Sequence, residues 1–288
     1  MNRTEQRHAL QRDGETLVLR AWPRPDGADA DTAIVFQHGL GEHGGRYATF
    51  VEHLDDLPVH FWAYDCRGHG ESTGKRGHAP GGIPQLADDL RAVLSEVEAR
   101  AGVSRIVLVG HSLGAVIAGW ALTCGGPPPP SVVAVGLSAP PVKIATSLSV
   151  RLKTLLGRSL TRVAPALTLP SGIAPEGISS DPHEVARYVE DPLVHDRLSV
   201  RLGLSLLDDP PKIVAAAPAL TLPVLLWHGT DDPIVDIAGS RELYAALGSE
   251  DKALWELSGY RHESHHERPD RVASLFERLR AWLQPHLT

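Results

Sequence analysis

The chain of 288 residues has only two cysteines, Cys66 and Cys124, and it has no apolar run of the roughly 18 residues that a transmembrane helix needs. Two isolated cysteines form neither a disulfide framework nor a metal-ligand spacing, so a reducing compartment is expected. The first residues carry charges but no apolar segment, which argues against a secretory signal peptide. These absences together predict a cytoplasmic protein.

Acidic residues outnumber basic ones overall, but they are missing from one region. The formal net charge of −7 argues against nucleic acid as a partner. No acidic residue occurs between Glu98 and Glu176, whereas that gap contains Lys143, Arg151, Lys153, Arg158 and Arg162 among many leucines. A basic, leucine-rich segment in an acidic protein is typical of helices at lipid surfaces. Two interpretations stay open: the cap makes transient, peripheral contact with a membrane or micelle, or a cap helix packs inward and leaves its basic face to the solvent.

Short apolar stretches alternate with amphipathic helical patterns along most of the chain. The predicted buried strands are 33–36, 61–65, 106–109, 132–135, 224–227 and 253–257. Apolar residues spaced three and four apart predict helices over 83–97 and 272–283. This alternation predicts an α/β fold, with a mainly parallel sheet covered by helices on both faces. Residues 5–22 alternate with a period of two and predict an antiparallel hairpin at the sheet edge.

Residues 140–207 interrupt this rhythm. The segment has no good strand pattern, and prolines divide its leucine-rich and valine-rich helical runs. We interpret it as a helical cap, or lid, inserted into the sheet domain. The core domain then consists of residues 1–139 and 208–288.

The sequence Gly110-His-Ser-Leu-Gly114 joins a predicted strand to a predicted helix. Gly-x-Ser-x-Gly in this position predicts a nucleophile elbow, a sharp turn that presents a serine hydroxyl at the carboxyl edge of the sheet. Ser112 is therefore the candidate nucleophile. The N–H of Leu113 opens the helix and is a candidate oxyanion donor, and the N–H of Leu40, in a glycine-rich loop, is the second.

A serine hydroxyl becomes a nucleophile only when a base takes its proton and an acid orients that base. On folds that carry this elbow, the acid and then the base follow the serine along the chain. Asp232 follows the strand at 224–227 and is the predicted acid, with Asp231 as the reserve. His262 comes first after the last strand and is the predicted base, with His265 as the reserve.

The loop of His262 also contains His265 and His266. No H-E-x-x-H pattern accompanies them, so we predict no metal site, and serine chemistry needs no cofactor. For His265 and His266 we expect a solvent-exposed histidine patch.

Together these motifs resemble the monoacylglycerol lipase and lysophospholipase-like group of the α/β-hydrolases. The resemblance spans roughly residues 33–280 in family order and includes His38-Gly-Leu-Gly-Glu-His43, Gly45-Arg-Tyr47, Asp65-Cys-Arg-Gly-His-Gly70, Gly110-His-Ser-Leu-Gly114, Asp191-Pro-Leu-Val-His195, Gly229-Thr-Asp-Asp232 and His262. It implies an α/β-hydrolase fold with an inserted helical cap. It also implies that Ser112, Asp232 and His262 form the catalytic triad and that Leu40 and Leu113 supply the oxyanion hole.

The resemblance further implies that the glycerol hydroxyls of a substrate face Arg46, His111, Glu184 and Tyr188. Arg261 departs from the pattern, because the better-known members carry an apolar or aromatic residue there. The implied activity is hydrolysis of acylglycerol esters, foremost monoacylglycerol, through an acyl-enzyme on Ser112.

Two alternatives stay open from the sequence. A lysophospholipase or general carboxylesterase of the same fold suits the basic cap. A non-catalytic lipid-binding protein on a hydrolase scaffold belongs to a different class, and the complete triad argues against it. In each case the partner is a small lipid ester, and the sequence predicts no particular oligomeric state.

Overall fold

The computed structural model describes residues 3–25, 30–143, 158 and 160–287. Its strands, in chain order, are β1 (Gln6–Arg12), β2 (Glu15–Trp22), β3 (Thr32–Gln37), β4 (His60–Tyr64), β5 (Arg105–His111), β6 (Val132–Ser138), β7 (Thr168–Pro170), β8 (Arg197–Ser199), β9 (Val224–Gly229) and β10 (Lys252–Leu257). Its α-helices are α1 (Ala48–His53), α2 (Ile83–Ala101), α3 (Leu113–Thr123), α4 (Pro182–Glu190), α5 (Val200–Asp208), α6 (Pro210–Ala216), α7 (Ile237–Ala246) and α8 (Pro269–Leu283). Within the described ranges, every helix is too short or too polar to span a lipid bilayer.

Eight strands form one sheet in the order β1-β2-β4-β3-β5-β6-β9-β10. The β1–β2 hairpin adds to β4 antiparallel, and the remaining neighbours are parallel. The predicted edge hairpin and the predicted mainly parallel sheet are therefore confirmed. The hairpin turns at Asp13-Gly14, where both residues have positive φ, as a two-residue turn that follows the strand twist requires.

The apolar runs of the central strands are continuous because both faces of the sheet are covered. On β5, Ile106 and Leu108 belong to one apolar cluster, which packs against α2 and α3. Val107 and Val109 belong to a second cluster, which packs against α1 and α8. A strand that is buried on both faces does not alternate between polar and apolar residues, so the sequence of β5 contains an uninterrupted aliphatic stretch.

The cap segment contains α4 and α5, but one prediction about it is wrong. Strands β7 and β8 pair antiparallel, from Thr168 opposite Ser199 to Pro170 opposite Arg197, although no strand was expected in residues 140–207. Three residues are too few to show an alternating pattern, and the proline at the end of β7 masks it further. Of the basic cap residues, Arg151 and Lys153 lie outside the described residues.

The second half of the cap is hydrogen-bonded to loops at the carboxyl edge of the sheet. The N–H of His195 donates to the carbonyl of Gly41 over 2.8 Å, and that of Ser199 donates to Gly77 over 2.9 Å. The N–H of Glu263 donates to the cap carbonyl of Ile178 over 2.8 Å. These bonds place the cap directly above the loops that carry the candidate site residues.

Candidate active site

Ser112 occupies a strained turn between β5 and α3. Its backbone has φ 52° and ψ −122°, a conformation that residues with side chains rarely adopt. A Cβ on Gly110 would lie 2.6 Å from the Gly114 carbonyl oxygen, and one on Gly114 would lie 2.1 Å from that of Gln37. Both flanking positions therefore require glycine, and the tight turn lifts the Ser112 side chain to the edge of the sheet.

The loop after β3 is fixed against Ser112. A Cβ on Gly39 would lie 3.2 Å from Ser112 Cβ, so the loop backbone is in close contact with the candidate nucleophile. The His38 ring holds the loop, because Nδ1 bonds the Gly39 carbonyl over 2.7 Å and Nε2 accepts the N–H of Cys66 over 2.8 Å. Throughout the described residues, the N–H groups of Leu40 and Leu113 donate no hydrogen bond, which leaves both available to an oxyanion.

Asp232 and His262 are joined directly. His262 Nδ1 lies 2.7 Å from Asp232 Oδ2. The other oxygen, Oδ1, accepts the N–H groups of Ile234 and Val235 over 2.8 and 3.0 Å. Burial alone raises the pKa of the Asp232 carboxyl, but hydrogen bonds from His228 and His262 outweigh it and hold that pKa well below its usual range. The reserve acid, Asp231, is exposed to solvent and accepts the Thr230 hydroxyl instead.

Ser112 lies between two cavities of different character. The larger has a volume of about 570 Å³ and a mostly apolar lining that includes Leu113, Leu198 and Leu206. The smaller, of about 20 Å³, has a mixed lining, in which polar groups such as those of His262 and Tyr188 stand beside Ile173 and Ile178. The larger cavity can take an aliphatic chain, whereas the smaller has room for about one hydroxyl-sized group.

A buried ion cluster borders the smaller cavity. The Arg46 guanidinium donates to both carboxylate oxygens of Glu263 over 2.7 Å each and to Glu42 over 3.1 Å. Its carbon also lies 4.8 Å from the centre of the Tyr188 ring. Burial raises the pKa of the Glu42 and Glu263 carboxyls, whereas the charge of Arg46 lowers it. The effect of the arginine is the larger, so both carboxyls stay ionised. Sequence reasoning gave no role to Glu42 or Glu263, although Glu42 lies within one of the quoted motifs.

The residues expected around glycerol are divided between two cavities. His111 and Tyr188 line the small cavity that Ser112 shares. Arg46 and Glu184 line a second polar cavity of about 110 Å³. Glu184 pairs there with Arg187 over 2.9 Å. The Arg46–Tyr188 contact connects the two sets.

The expectation of a solvent-exposed histidine patch is wrong. His265 is fully buried and His266 is 4% exposed, because their short turn packs beneath the rings of Tyr47 and Phe50. Glu263, His265 and His266 can bring three ligand atoms within 4.8 Å. The cation that this cluster already holds is the guanidinium of Arg46, and a metal ion would have to displace it.

Arg261 has a structural role in this chain that an apolar residue could not supply. Its guanidinium donates to the cap carbonyls of Glu176 and Ser179, the latter over 3.0 Å. Its own N–H donates to Glu267, whose other carboxylate oxygen accepts the hydroxyl of Ser180. Arg261 therefore ties the loop of His262 to the cap.

The comparisons with known proteins agree on one group. The family model described as serine aminopeptidase, S33, matches residues 28–269. The chain is 32% identical to the human monoglyceride lipase, over 96% of this chain and 89% of that protein. It is 31% identical to the monoacylglycerol lipase of Mycolicibacterium smegmatis, over 95% of each. The crystal structure of the Paleococcus ferrophilus monoacylglycerol lipase superposes with a TM-score of 0.82 and 32% identity, over 94% of this chain and 99% of that one.

Proposed function

The chain belongs to the serine aminopeptidase S33 family of hydrolases and, within it, to the monoglyceride lipases, and from this premise we propose that it hydrolyses monoacylglycerols to fatty acid and glycerol. The observation that carries the proposal is the position of Ser112 between a large, mostly apolar cavity and a small one that polar groups of His111, Tyr188 and His262 border. A monoacylglycerol has the same division, with an aliphatic chain on one side of the ester and a diol on the other.

The acylation step begins at Ser112. His262 takes the hydroxyl proton, while Asp232, which bonds the opposite ring nitrogen over 2.7 Å, orients the imidazole and stabilises its charged form. The serine oxygen attacks the ester carbonyl, and the N–H groups of Leu40 and Leu113 stabilise the oxyanion. His262 then gives its proton to the departing glycerol oxygen.

Deacylation repeats the proton transfers with water. His262 takes a proton from a water molecule, the resulting hydroxide attacks the acyl-enzyme carbonyl, and the proton returns to Ser112. The fatty acid leaves from the larger cavity. No step requires a group other than protein side chains, backbone amides, substrate and water.

We propose that Tyr188 and His111 hydrogen-bond the free glycerol hydroxyls, and that Arg46 and Glu184 complete this polar end from the adjoining cavity. The positions of His111 and Tyr188 on the small cavity, the mainly polar lining of the adjoining one and the contact of Arg46 with the Tyr188 ring support this assignment. A site that pairs hydroxyl groups loses affinity for a ligand without them, because its own polar groups are then stranded.

The proposed triad is tested by substitution. Ser112→Ala should lower hydrolysis of monoacylglycerol by a factor on the order of 10⁶, and Asp232→Asn should be nearly as damaging. Asp231→Asn is the matched control and should retain near wild-type turnover, since that carboxylate is exposed. Substantial turnover by Ser112→Ala would refute the proposed chemistry, and a severe loss in Asp231→Asn would reassign the acid.

The alcohol specificity is tested by comparing a monoacylglycerol with the methyl ester of the same fatty acid. Tyr188→Phe should lower kcat/KM for the monoacylglycerol by about 5- to 100-fold more than for the methyl ester, the usual penalty for stranded polar groups. A lysophospholipid in the same panel distinguishes the related activity. Equal losses on both esters would show that Tyr188 only supports the cap.

We also propose that the cap contacts lipid surfaces. The large hydrophobic side chains most exposed among the described residues all lie in the cap, namely Val163, Leu167, Leu169 and Val189. The exposed side chain of Arg162 lies next to Val163 in the chain, whereas Arg158 is paired with Asp208. Exposed apolar side chains near a cation that has no ion-pair partner among the described residues suit an anionic bilayer.

Vesicle sedimentation tests the membrane proposal. Arg162→Gln should weaken binding to anionic vesicles by about fivefold, as expected for one basic group near a charged surface. Arg158→Gln should have a smaller effect, because its charge is already paired with Asp208. Turnover of a short water-soluble ester should not change in either variant. Unaltered vesicle binding by Arg162→Gln would favour an inward-packed cap.

A further inference from the structure

A second histidine contacts the proposed catalytic carboxylate. His228 lies at the end of β9 and is fully buried. Its Nε2 is 3.1 Å from Asp232 Oδ2, the same oxygen that His262 bonds. We propose that His228 is a positioning residue that aims the Asp232 carboxylate at His262. This proposal rests on the triad assigned above.

The direction of the hydrogen bond follows from its acceptors. His228 Nε2 faces Asp232 Oδ2 and, also at 3.1 Å, the carbonyl oxygen of Val235. A carboxylate and a carbonyl only accept hydrogen bonds, so Nε2 must carry the hydrogen, which is aligned with the Val235 carbonyl and has Asp232 Oδ2 as a second, less well aligned acceptor. His228 is therefore a donor to Asp232.

Ser240 fixes the other side of the ring. His228 Nδ1 lies 2.7 Å from the Ser240 hydroxyl, which projects from α7 and is also fully buried. In the neutral imidazole, Nδ1 accepts the hydroxyl proton and Nε2 keeps its own, so this contact favours the tautomer that Asp232 needs. A continuous chain of hydrogen bonds thus runs from Ser240 through His228 and Asp232 to His262.

With His228 in place, the carboxylate of Asp232 is held from four directions. Two backbone N–H groups bind Oδ1, and two imidazole N–H groups bind Oδ2. Four is about the full acceptor capacity of a carboxylate. Loss of the His228 donor frees one direction, so that the carboxylate can rotate and carry the His262 ring away from Ser112.

Such a role predicts a change in kcat rather than in KM. In the described structure, His228 lines neither cavity at Ser112. Substrate affinity is therefore independent of it. A misplacement of a catalytic group by about 1 Å is enough to lower turnover by about 100-fold, so we expect a loss of about 10- to 100-fold in kcat.

Substitution of His228 by glutamine or asparagine distinguishes the roles of its two ring nitrogens. The amide nitrogen of glutamine reaches the position of the imidazole Nε2, whereas that of the shorter asparagine reaches only the position of Nδ1. His228→Gln keeps a donor to Asp232 and should retain kcat within about threefold of wild type. His228→Asn and His228→Leu should lose about 10- to 100-fold with little change in KM.

Rates are expressed per active site, titrated with a fluorophosphonate, so that unfolded protein does not enter kcat. Low kcat in His228→Asn with recovery in His228→Gln supports the proposal. Equal kcat in these two variants overturns it, as does a loss that appears only in KM. Ser112→Ala distinguishes failure of the proposed function from failure of the His228 proposal. If Ser112→Ala turns over substrate, the proposed function is wrong. If Ser112→Ala is inactive but both amide variants of His228 match wild type, only the proposed role of His228 is wrong.

Discussion

Arg46 pairs with two buried carboxylates beside the small cavity, and its replacement by methionine gives a sharp stability prediction. The side chains of Arg46, Glu42 and Glu263 are 8%, 3% and 4% exposed. Methionine fills a similar volume but leaves two buried carboxylates without their shared cation. One of them must then take up a proton or admit water.

The magnitude follows from the cost of stranding a buried charge. Removing one partner of a buried ion pair destabilises a protein by about 3–5 kcal/mol, which for a chain of this size lowers Tm by about 6–10 °C. Arg46→Lys keeps the charge but loses the two parallel bonds to Glu263, so its loss should be about half as large. Combining Arg46→Met with Glu263→Leu removes both partners and should restore part of the stability lost in Arg46→Met.

The assay is urea unfolding of the single and double variants at pH 7 and pH 5. In the wild type, Arg46 holds the pKa of Glu263 low, so the stability it provides is lost as pH falls toward that pKa. In Arg46→Met the same carboxyl has a raised pKa, and acid stabilises the variant. The deficit of Arg46→Met should therefore shrink at pH 5. A deficit below about 1 kcal/mol at pH 7 would refute the ion-cluster reasoning.

Two further predictions concern the elbow and its neighbour. Gly114→Ala should destabilise the protein by at least about 1–3 kcal/mol in urea unfolding, because its Cβ would lie 2.1 Å from the Gln37 carbonyl oxygen. Gly203→Ala is the matched control, since the nearest atom to its Cβ is 3.6 Å away, and its stability should stay within about 1 kcal/mol of wild type. Equal effects of the two substitutions would refute the steric argument. Burial and the charge of His262 lower the pKa of His111 from 6.5 to about 4, so on acidification the unfolded chain takes up the proton first and the free energy of unfolding falls between those two pH values. By pH 5 this loss should be about 2 kcal/mol larger in the wild type than in His111→Gln. Parallel curves of stability against pH for the two proteins would contradict this prediction.

The sheet and the elbow were predictable because their signatures are local. An aliphatic strand followed by Gly-x-Ser-x-Gly and an apolar helix occupies a single stretch of chain around Ser112, and the predicted resemblance to monoacylglycerol lipases is confirmed by the comparisons. The chain order of the candidate acid and base follows from the same pattern. These features need no knowledge of which distant segments meet.

The features that sequence reasoning missed depend on contacts between segments that are far apart in the chain. Arg46 and Glu263 are 217 residues apart, and only the folded sheet brings them together. The burial of His265 depends on rings supplied by the loop after β3 and by α1, so a polar, histidine-rich loop looks exposed in the sequence although it is not. His228 carried no pattern of its own, because its partner Ser240 comes from a helix later in the chain.

The order of strands in the sheet also determines when the enzyme can first act. The proposed nucleophile follows β5, the proposed acid follows β9 and the proposed base follows β10, which is an edge strand and the last described strand to be synthesised. A nascent chain can therefore form the elbow long before it has a base, and the pairing of Asp232 with His262 must wait until β10 joins β9. Hydrolytic activity consequently reports completion of the whole sheet, and chains that end before His262 should have no ester hydrolysis even if the elbow has folded.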